Sequence, residues 1–599
     1  MCGIFGFTSK QENRADAFKA MGDALAHRGP DGEGSYLDEH VAMGMRRLSI
    51  LDLERGNQPF FSRDKSVVVL CNGEIYNFRE LKKELKKKGY QFHTHNDVEV
   101  LPALYEEHGI DFVRKLNGMF AISLYDKQQR KLFLIRDHVG IKPLYYALVN
   151  GEIIYASELK SILRLNKVDK RVNYPALSTY LELLYIPRPM TPFCNVFKLE
   201  SGAYLEWHEG KFNIKKYWDL DLTSNGHKSE KEYVEEVHAL LQDSIKMQLV
   251  SDVPLGSFLS GGIDSSFVTA VASQLTDKEF SVFHMRWKDI PGKLDESEFA
   301  HQVTERYHLT RHFYDVGDID VVNLIPKLIY HLDEPFGDAA FLPTYYLARI
   351  ASEKITVMLN GAGGDELFGG YSHHSNYSML KSRLNKLLHR RAPALSYYDI
   401  WRSTHQKKWQ RLFPWYVRDV FRSSFERKFL RNRDIDSLNA IMLNDIDFYL
   451  QDDILFLSDK MTMAASLECR VPLLDYRLVE LTQSIPSSMK VKNGERKYLF
   501  KIIGERHLPR EVLYRPKEGF GFPIHQWMND YKEIYFDLLL ERGFMFNNGL
   551  VNPNVMRNLF LKRELSTTES WFYWMVVVLE IWFQLFVEEK DHEHIYDLQ

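Results

Sequence analysis

The sequence predicts two folds in succession: an α+β region up to residue 217, then an α/β region with a doubly wound parallel sheet from Lys231 onward. Three observations predict this. Short apolar runs crowd the first region. Strands and helices alternate in the second. A polar break with Ser-Asn-Gly at 224–226 separates them.

In the first region Val67–Cys71, Phe120–Tyr125, Lys131–Arg136 and Ile153–Ala156 are short apolar runs bounded by Gly, Asn or Asp, the signature of strands. Asn77–Lys88 and Asp97–Glu107 carry apolar residues three and four apart, which predicts helices. Residues 218–230 read as a linker. Then helix Lys231–Gln248 leads to strand Val253–Leu259, helix Ser265–Leu275, strand Phe280–Arg286, helix Asp295–Tyr307, strand Thr310–Val316, helix Asp320–Leu332 and strand Ile355–Leu359. Such alternation implies a parallel sheet covered on both faces. Beyond Tyr371 the pattern is mostly helical. The apolar run Trp571–Leu579, resuming to Val587 around Glu580 and Gln584, falls short of the roughly 20 apolar residues of a membrane span and reads as a core helix.

Composition excludes several classes. The 599 residues are 45% hydrophobic and 26% charged, so neither global disorder nor a polytopic membrane protein is expected. Lys+Arg is 77 against Asp+Glu 81, so no basic excess suggests a nucleic-acid partner. A basic, aromatic stretch from Lys381 to Arg411 reads as a solvated helical insertion. Four scattered cysteines fit neither a disulfide scaffold nor a CxxC zinc site, and the expected compartment is a reducing cytoplasm. The start, MCGIFGF, lacks the basic head of a signal peptide.

Cys2 follows the initiator Met directly. Removal of Met would leave a thiol and an α-amine on one residue, and the amine can act as base for the thiol. Asn72 and Gly73 follow strand Val67–Cys71. There a side-chain amide and a backbone N–H can converge as an oxyanion hole. Arg47 could fork onto a carboxylate, and Asp97, at a helix start, could hold an ammonium. Together these suit hydrolysis of a free amino acid's side-chain amide. Taken singly, Asn-Gly is a turn, Arg47 a surface ion pair and Asp97 a cap.

Leu259-Ser260-Gly261-Gly262-Ile263-Asp264-Ser265-Ser266 sits between a strand and a helix. Its glycines allow close approach of an anion, and the helix N-terminus favours phosphate. Asp264 could hold Mg²⁺. No GxxxxGK[ST] occurs, so this is not a Walker loop.

The set MCGIFGF, His27-Arg28-Gly29-Pro30-Asp31, Arg47-Leu48-Ser49-Ile50, Asn72-Gly73-Glu74-Ile75-Tyr76-Asn77 and Arg136-Asp137-His138 with Gly140–Tyr145 resembles the glutaminase domain of glutamine-hydrolysing asparagine synthetases. The loop at 259–266 resembles the pyrophosphate loop of enzymes that split ATP into AMP and pyrophosphate. Asp333-Glu334-Pro335-Phe336, Gly363–Tyr371 and Leu467–Asp475 are similar to the synthetase domain. The resemblance implies an N-terminal-nucleophile αββα sandwich over 1–217 and an ATP-pyrophosphatase domain over 231–599. It assigns Cys2 as nucleophile with Asn72 and Gly73 as oxyanion hole. It places glutamine against Arg47, Leu48, Ser49, Ile50, Leu51, Asn72, Gly73, Glu74 and Asp97. It places ATP against Leu259, Ser260, Gly261, Gly262, Asp264, Ser265, Met285, Asn360, Gly361, Asp365 and Lys497, with Mg²⁺ on Asp264 and Asp365.

The implied activity uses glutamine and ATP to amidate a carboxylate through an acyl-adenylate, aspartate being the first-choice acceptor; a homodimer is compatible with it. One departure stands out. Where the family reads Ser-Gly-acid-Gly, this chain reads Asn360-Gly361-Ala362-Gly363, and Ala362 can be neither acid nor base. Two alternatives follow: a different acceptor, such as a cell-wall or surface-polysaccharide acid, or a homologue that binds nucleotide or glutamine without synthesis.

Overall fold

The computed structural model describes residues 2–8, 14–220, 228–286, 295–315, 320–376, 437–517, 519, 521–540 and 542–595. The basic stretch 381–411 and most of the expected linker lie outside the described residues.

Twelve strands build the first region: β1 Gly3–Thr8, β2 Gly32–Leu37, β3 Val41–Arg47, β4 Phe60–Phe61, β5 Val67–Ile75, β6 Gly118–Asp126, β7 Lys131–Arg136, β8 Tyr145–Val149, β9 Glu152–Ala156, β10 Val196–Lys198, β11 Ala203–His208 and β12 Lys211–Lys216. They form two six-stranded sheets, ordered β10-β8-β9-β1-β3-β2 and β12-β11-β7-β6-β5-β4. Alternate side chains point to opposite faces of a strand. Ile4, Leu70, Ala121, Tyr125, Leu132 and Leu134 therefore meet in one core shared by both sheets. Phe5 and Phe7 face the other way, onto Met21, Leu159 and Leu177 of helices. Val69, Cys71, Ile122 and Leu124 likewise face Leu81 and Leu101 of helices Phe78–Lys87 and Val100–His108. Helix, sheet, sheet and helix stack in that order, the expected αββα sandwich. The edge strand β12 is exposed along its length and carries Lys211, Lys215 and Lys216, which discourage pairing with another sheet.

The second region holds a five-stranded sheet, all parallel, ordered β15-β14-β13-β16-β17. Its strands are β13 Leu255–Phe258, β14 Phe280–Arg286, β15 Thr310–Asp315, β16 Val357–Leu359 and β17 Glu468–Arg470. Four of these fall on expected runs, β14 residue for residue and the others with ends shifted by at most two residues. The sequence reading missed β17. Its side chains include Glu468 and Arg470, both fully buried, with Arg470 Nε donating to Glu468 Oε1 at 2.6 Å. A strand made of a buried ion pair carries no apolar signal.

Helix Glu230–Gln248 opens this region with a capping box of Ser229 and Glu232. The C-terminal apolar run is helix Thr567–Phe586, a core helix as expected. Trp574 Nε1 donates to Gly337 O at 2.8 Å and Trp582 Nε1 to Asp333 O at 3.0 Å, so both indoles find partners inside. Among the described residues no helix is long and apolar enough to cross a membrane.

The two regions are joined by polar contacts, the first two of them buried. Asn117 Nδ2 donates to Asp475 Oδ2 at 2.9 Å, Lys198 pairs with Glu334 at 2.9 Å, and Asp252 N donates to Ile50 O at 3.0 Å. A π-helical stretch, Asp445–Ile454, runs directly into helix Leu455–Met463. Gln451, Asp452, Leu455, Phe456 and Asp459 face a small crevice shared with Arg136 and Gly140 of the first region. Tyr449, Asp453, Ile454, Leu457 and Ser458 face the opposite way, into a cavity of the second region.

Candidate functional sites

Cys2 is buried just ahead of β1, and its backbone N donates to Asn72 Oδ1 at 3.1 Å. That bond turns the other end of the amide, Nδ2, toward Ser157 Oγ at 3.4 Å. Burial pushes the Cys2 thiol up, against the Leu48 backbone donor and the Arg47 charge. Gly73 has φ +152°, and a Cβ there would lie 2.0 Å from Met119 O. Glycine is required for β5 to pass so close to β6 at that point.

Arg47 is fixed, but by the loop that follows it. Nη1 reaches Asn57 Oδ1 at 2.7 Å, and Nη2 reaches Leu51 O at 3.1 Å and Asp52 O at 2.9 Å. The expected open fork is thus closed onto residues 51–57, and a carboxylate would meet the guanidinium along its remaining edge. Ser49 N donates to Asp31 Oδ2 at 2.7 Å. Ile50 and Leu51 hold their place through backbone oxygens, to Asp252 and Arg47. Asp97 is not a helix cap: its Oδ2 accepts Ile75 N at 2.6 Å, ahead of a helix that begins at Val100. Burial raises Asp97 to about 6. Burial also raises Glu74 well above its ordinary value, and the neighbouring Asp97 and Glu468 add to it while Arg470 opposes. Two carboxyls held reluctant to ionise suit an incoming ammonium, which would relieve both.

The second site is a cavity of about 540 Å³, within the usual range for a small-molecule site. Leu259, Ser260, Gly262, Asp264, Ser265, Met285, Asn360, Gly361, Asp365 and Lys497 all line it. Of the residues expected at ATP, Gly261 stands apart. Its φ is +80°, and a Cβ would lie 2.8 Å from Glu296 O, so it shapes the turn and does not face the cavity. The helix Ile263–Leu275 starts at this loop. Gly262 N donates to Ser260 Oγ at 3.2 Å, and Ser260 and Ser265 hydroxyls meet at 3.0 Å.

Lys497 lies between two carboxylates, 2.5 Å from Asp264 Oδ2 and 2.7 Å from Asp365 Oδ1. Its φ is +55°, a conformation costly for a side chain with Cβ, and such strain is concentrated at functional sites. Lys517 reaches Asp365 Oδ1 at 2.6 Å. Burial disfavours ionised Asp365, but Lys497 and Lys517 outweigh it and hold the carboxyl below its ordinary range. Burial leaves Asp264 raised despite Lys497. Asp264 Oδ1 is buried with no donor. Hard oxygen donors with one lone pair unclaimed, beside two lysines, fit a divalent cation bound together with a polyphosphate.

The sequence reading missed Lys517 and Arg515. It also gave no role to Arg28 and missed Glu158, Asp459 and Lys460, all of which are buried between the regions. Arg28 Nε donates to Cys2 O at 3.1 Å, and Nη1 reaches Glu158 and Asp459, each at 2.8 Å. The available signal was an Asp-Lys pair inside the largely apolar segment Leu455–Met463.

The glutamine amidotransferase domain model matches residues 1–218, and the asparagine synthase model matches residues 236–586, more than half of the chain. The chain belongs to the asparagine synthase family. Relatives match along 63% to 98% of its length. Asparagine synthetase [glutamine-hydrolyzing] 1 of Bacillus subtilis is 33% identical, covering 98% of each chain. Putative asparagine synthetase [glutamine-hydrolyzing] 2 of Methanocaldococcus jannaschii is 37% identical over 63% of this chain and 76% of its own. Asparagine synthetase B of Escherichia coli is 28% identical over 89% and 84%. The chain is accordingly a member of an enzyme family, and the two candidate sites described above lie one in each matched segment.

Proposed function

We propose that this chain is a glutamine-dependent amidotransferase with a glutaminase unit at 1–217, a linker at 218–230 and an ATP-dependent ligase unit at 231–599. It frees ammonia from glutamine at Cys2 and amidates a carboxylate, aspartate first, with release of AMP and pyrophosphate in the cytoplasm. The observation that carries this reading is the continuous helical segment Asp445–Met463, which presents one face to the glutaminase region and the other to the nucleotide cavity.

At the first site the Cys2 thiol gives its proton to the α-amine and attacks the side-chain amide carbon of glutamine. Asn72 Nδ2 and the Gly73 N–H stabilise the oxyanion, ammonia leaves, and water hydrolyses the thioester. Glu74 and Asp97 hold the substrate ammonium and Arg47 its carboxylate. Ammonia must travel in a sheltered passage, since in bulk water it would protonate and escape.

At the second site the acceptor carboxylate attacks the α-phosphorus of ATP, and pyrophosphate leaves toward Lys497. Asp264 and Asp365 would hold Mg²⁺, which would offset charge on the pyrophosphate. Leu259, Met285, Asn360 and Gly361 would hold the adenosine. Ammonia then displaces AMP from the acyl-adenylate.

Ala362 lines the cavity in place of a carboxylate, and this favours a second reading in which another acid is the acceptor. Glutamine-dependent AMP release across a panel of carboxylic acids tests both. Release with aspartate supports the first reading, release with another acid the second, and no release with any acid overturns the amidotransferase reading.

A further inference from the structure

Six carboxyl groups line the nucleotide cavity: Asp264, Glu296, Asp338, Asp365, Glu366 and Asp453. Four have evident partners. Asp264 and Asp365 bind Lys497, Glu296 binds Arg515, and Glu366 accepts from the Tyr371 hydroxyl. Asp338 and Asp453 remain. Their carboxyls lie close enough to act on each other, and no salt bridge among the described residues reaches either. Asp338 Oδ1 accepts Ala340 N at 2.9 Å. Asp453 is 2% exposed, and its Oδ1 has no donor.

Two carboxyls in contact cannot both ionise, so the pair keeps one proton between them. One member is then a carboxylate and the other an acid. Burial raises both, and Asp453 is pushed well above the usual carboxylate range with Asp338 adding to the effect. The backbone supports the placement. Asp453 belongs to the π-helical stretch Asp445–Ile454, a rare geometry frequent at functional sites. Asp452 faces the glutaminase side while Asp453 faces the cavity that Ala362 also lines.

Resting on the amidotransferase reading, we propose that the Asp338–Asp453 pair supplies the proton acceptor of the amide-forming step, its carboxylate standing in place of the one that Ala362 lacks. The ammonia nitrogen bonds to the acyl carbon, and the carbonyl electron pair moves to its oxygen. One N–H proton passes to the carboxylate of the pair. The carbonyl re-forms, the acyl C–O bond to phosphate breaks, and AMP leaves with that electron pair. The proton returns to solvent as product departs.

The test uses the full chain with ATP, Mg²⁺, ammonium chloride and the acid with the highest AMP release in the panel, aspartate being the first probe. Two rates are read: acid-dependent exchange of pyrophosphate into ATP, and amide formation. Asp453→Asn is expected to lower amide formation by about 10²–10⁴-fold and exchange by less than about tenfold. Hydroxylamine, which needs less help to shed a proton, should narrow the deficit. Ala362→Glu in the Asp453→Asn background should recover amide formation by about tenfold or more, on the lower side of general-base assistance. Equal loss of exchange and amide formation would overturn the proposal, because the pair would then serve binding or adenylation. Unchanged amide formation in both Asp453→Asn and Asp338→Asn would also overturn it. Absence of exchange with every acid in the unmutated chain overturns the amidotransferase reading, and the proposal with it.

Discussion

Arg28 Nη1 lies 2.8 Å from Asp459 Oδ2, and both side chains are buried. The same guanidinium touches the backbone oxygen of Cys2. One side chain therefore joins the proposed nucleophile to the helix that borders the nucleotide cavity. Burial works against this cation, but Asp459 and Glu158 outweigh it and hold Arg28 firmly charged.

Arg28→Ala leaves Asp459 and Glu158 buried without that partner. Removing one member of a buried pair costs about 3–5 kcal/mol. Urea unfolding should show an earlier transition than in the parent. An unchanged midpoint and slope would mean the contact adds nothing to stability.

Cys2→Ala should abolish glutamine hydrolysis while leaving amidation from added ammonium. The two proposed sites use separate residue sets, so the second needs only ammonia. Equal loss of both activities in a folded variant would contradict this division. Gly73→Ala should lower glutamine hydrolysis by about 10²–10³-fold, the usual value of one oxyanion donor, since the new Cβ would press on Met119 O.

The pH dependence of glutamine use should follow Glu74 and Asp97. Asp97 is raised to about 6 by burial, and its charge adds to the upward push on Glu74, so the two carboxyls titrate together. An ammonium is held by the ionised form. The ratio kcat/KM for glutamine should therefore rise with pH, with an acid limb no lower than about pH 6. Stability runs the other way. A raised carboxyl pKa favours folding below the unfolded value near 3.9, and this contribution is lost as pH rises through the folded value. A flat kcat/KM profile between pH 5 and 8 would remove both carboxyls from the binding step.

ATP should be cleaved to AMP and pyrophosphate. Lys497→Met should lower exchange of pyrophosphate into ATP by about 10²–10³-fold, because a fixed cation facing the leaving group is lost. Asp264→Asn should lose most of the same activity. ADP and phosphate as products would show that the loop at 259–266 has been misread.

Much of this was legible locally. Short apolar runs bounded by turn residues located β5 to β7, and three-to-four-residue spacing located the helices Phe78–Lys87 and Val100–His108, because each pattern is written within a few consecutive residues. Gly73 and Asp264 could be singled out because turn chemistry and residue type narrow their roles, whereas Asp365 came from the resemblance alone. The placement of Gly261 was less legible: both glycines of the loop looked alike, and only its contact with Glu296 O separates them.

What the sequence by itself determined is the two-part plan, the residue types at each site and the absence of a carboxylate at 362. What only the tertiary structure decided is how distant charges meet: Arg28 on Asp459, Arg470 beside Glu74 at 3.5 Å, Lys497 between Asp264 and Asp365, and Asp338 on Asp453. The physical reason is that backbone preference is local, whereas a buried charge finds its partner through folding of chain segments far apart in sequence. No period or spacing records that choice, so β17 and the paired aspartates became visible only once the chain had closed around them.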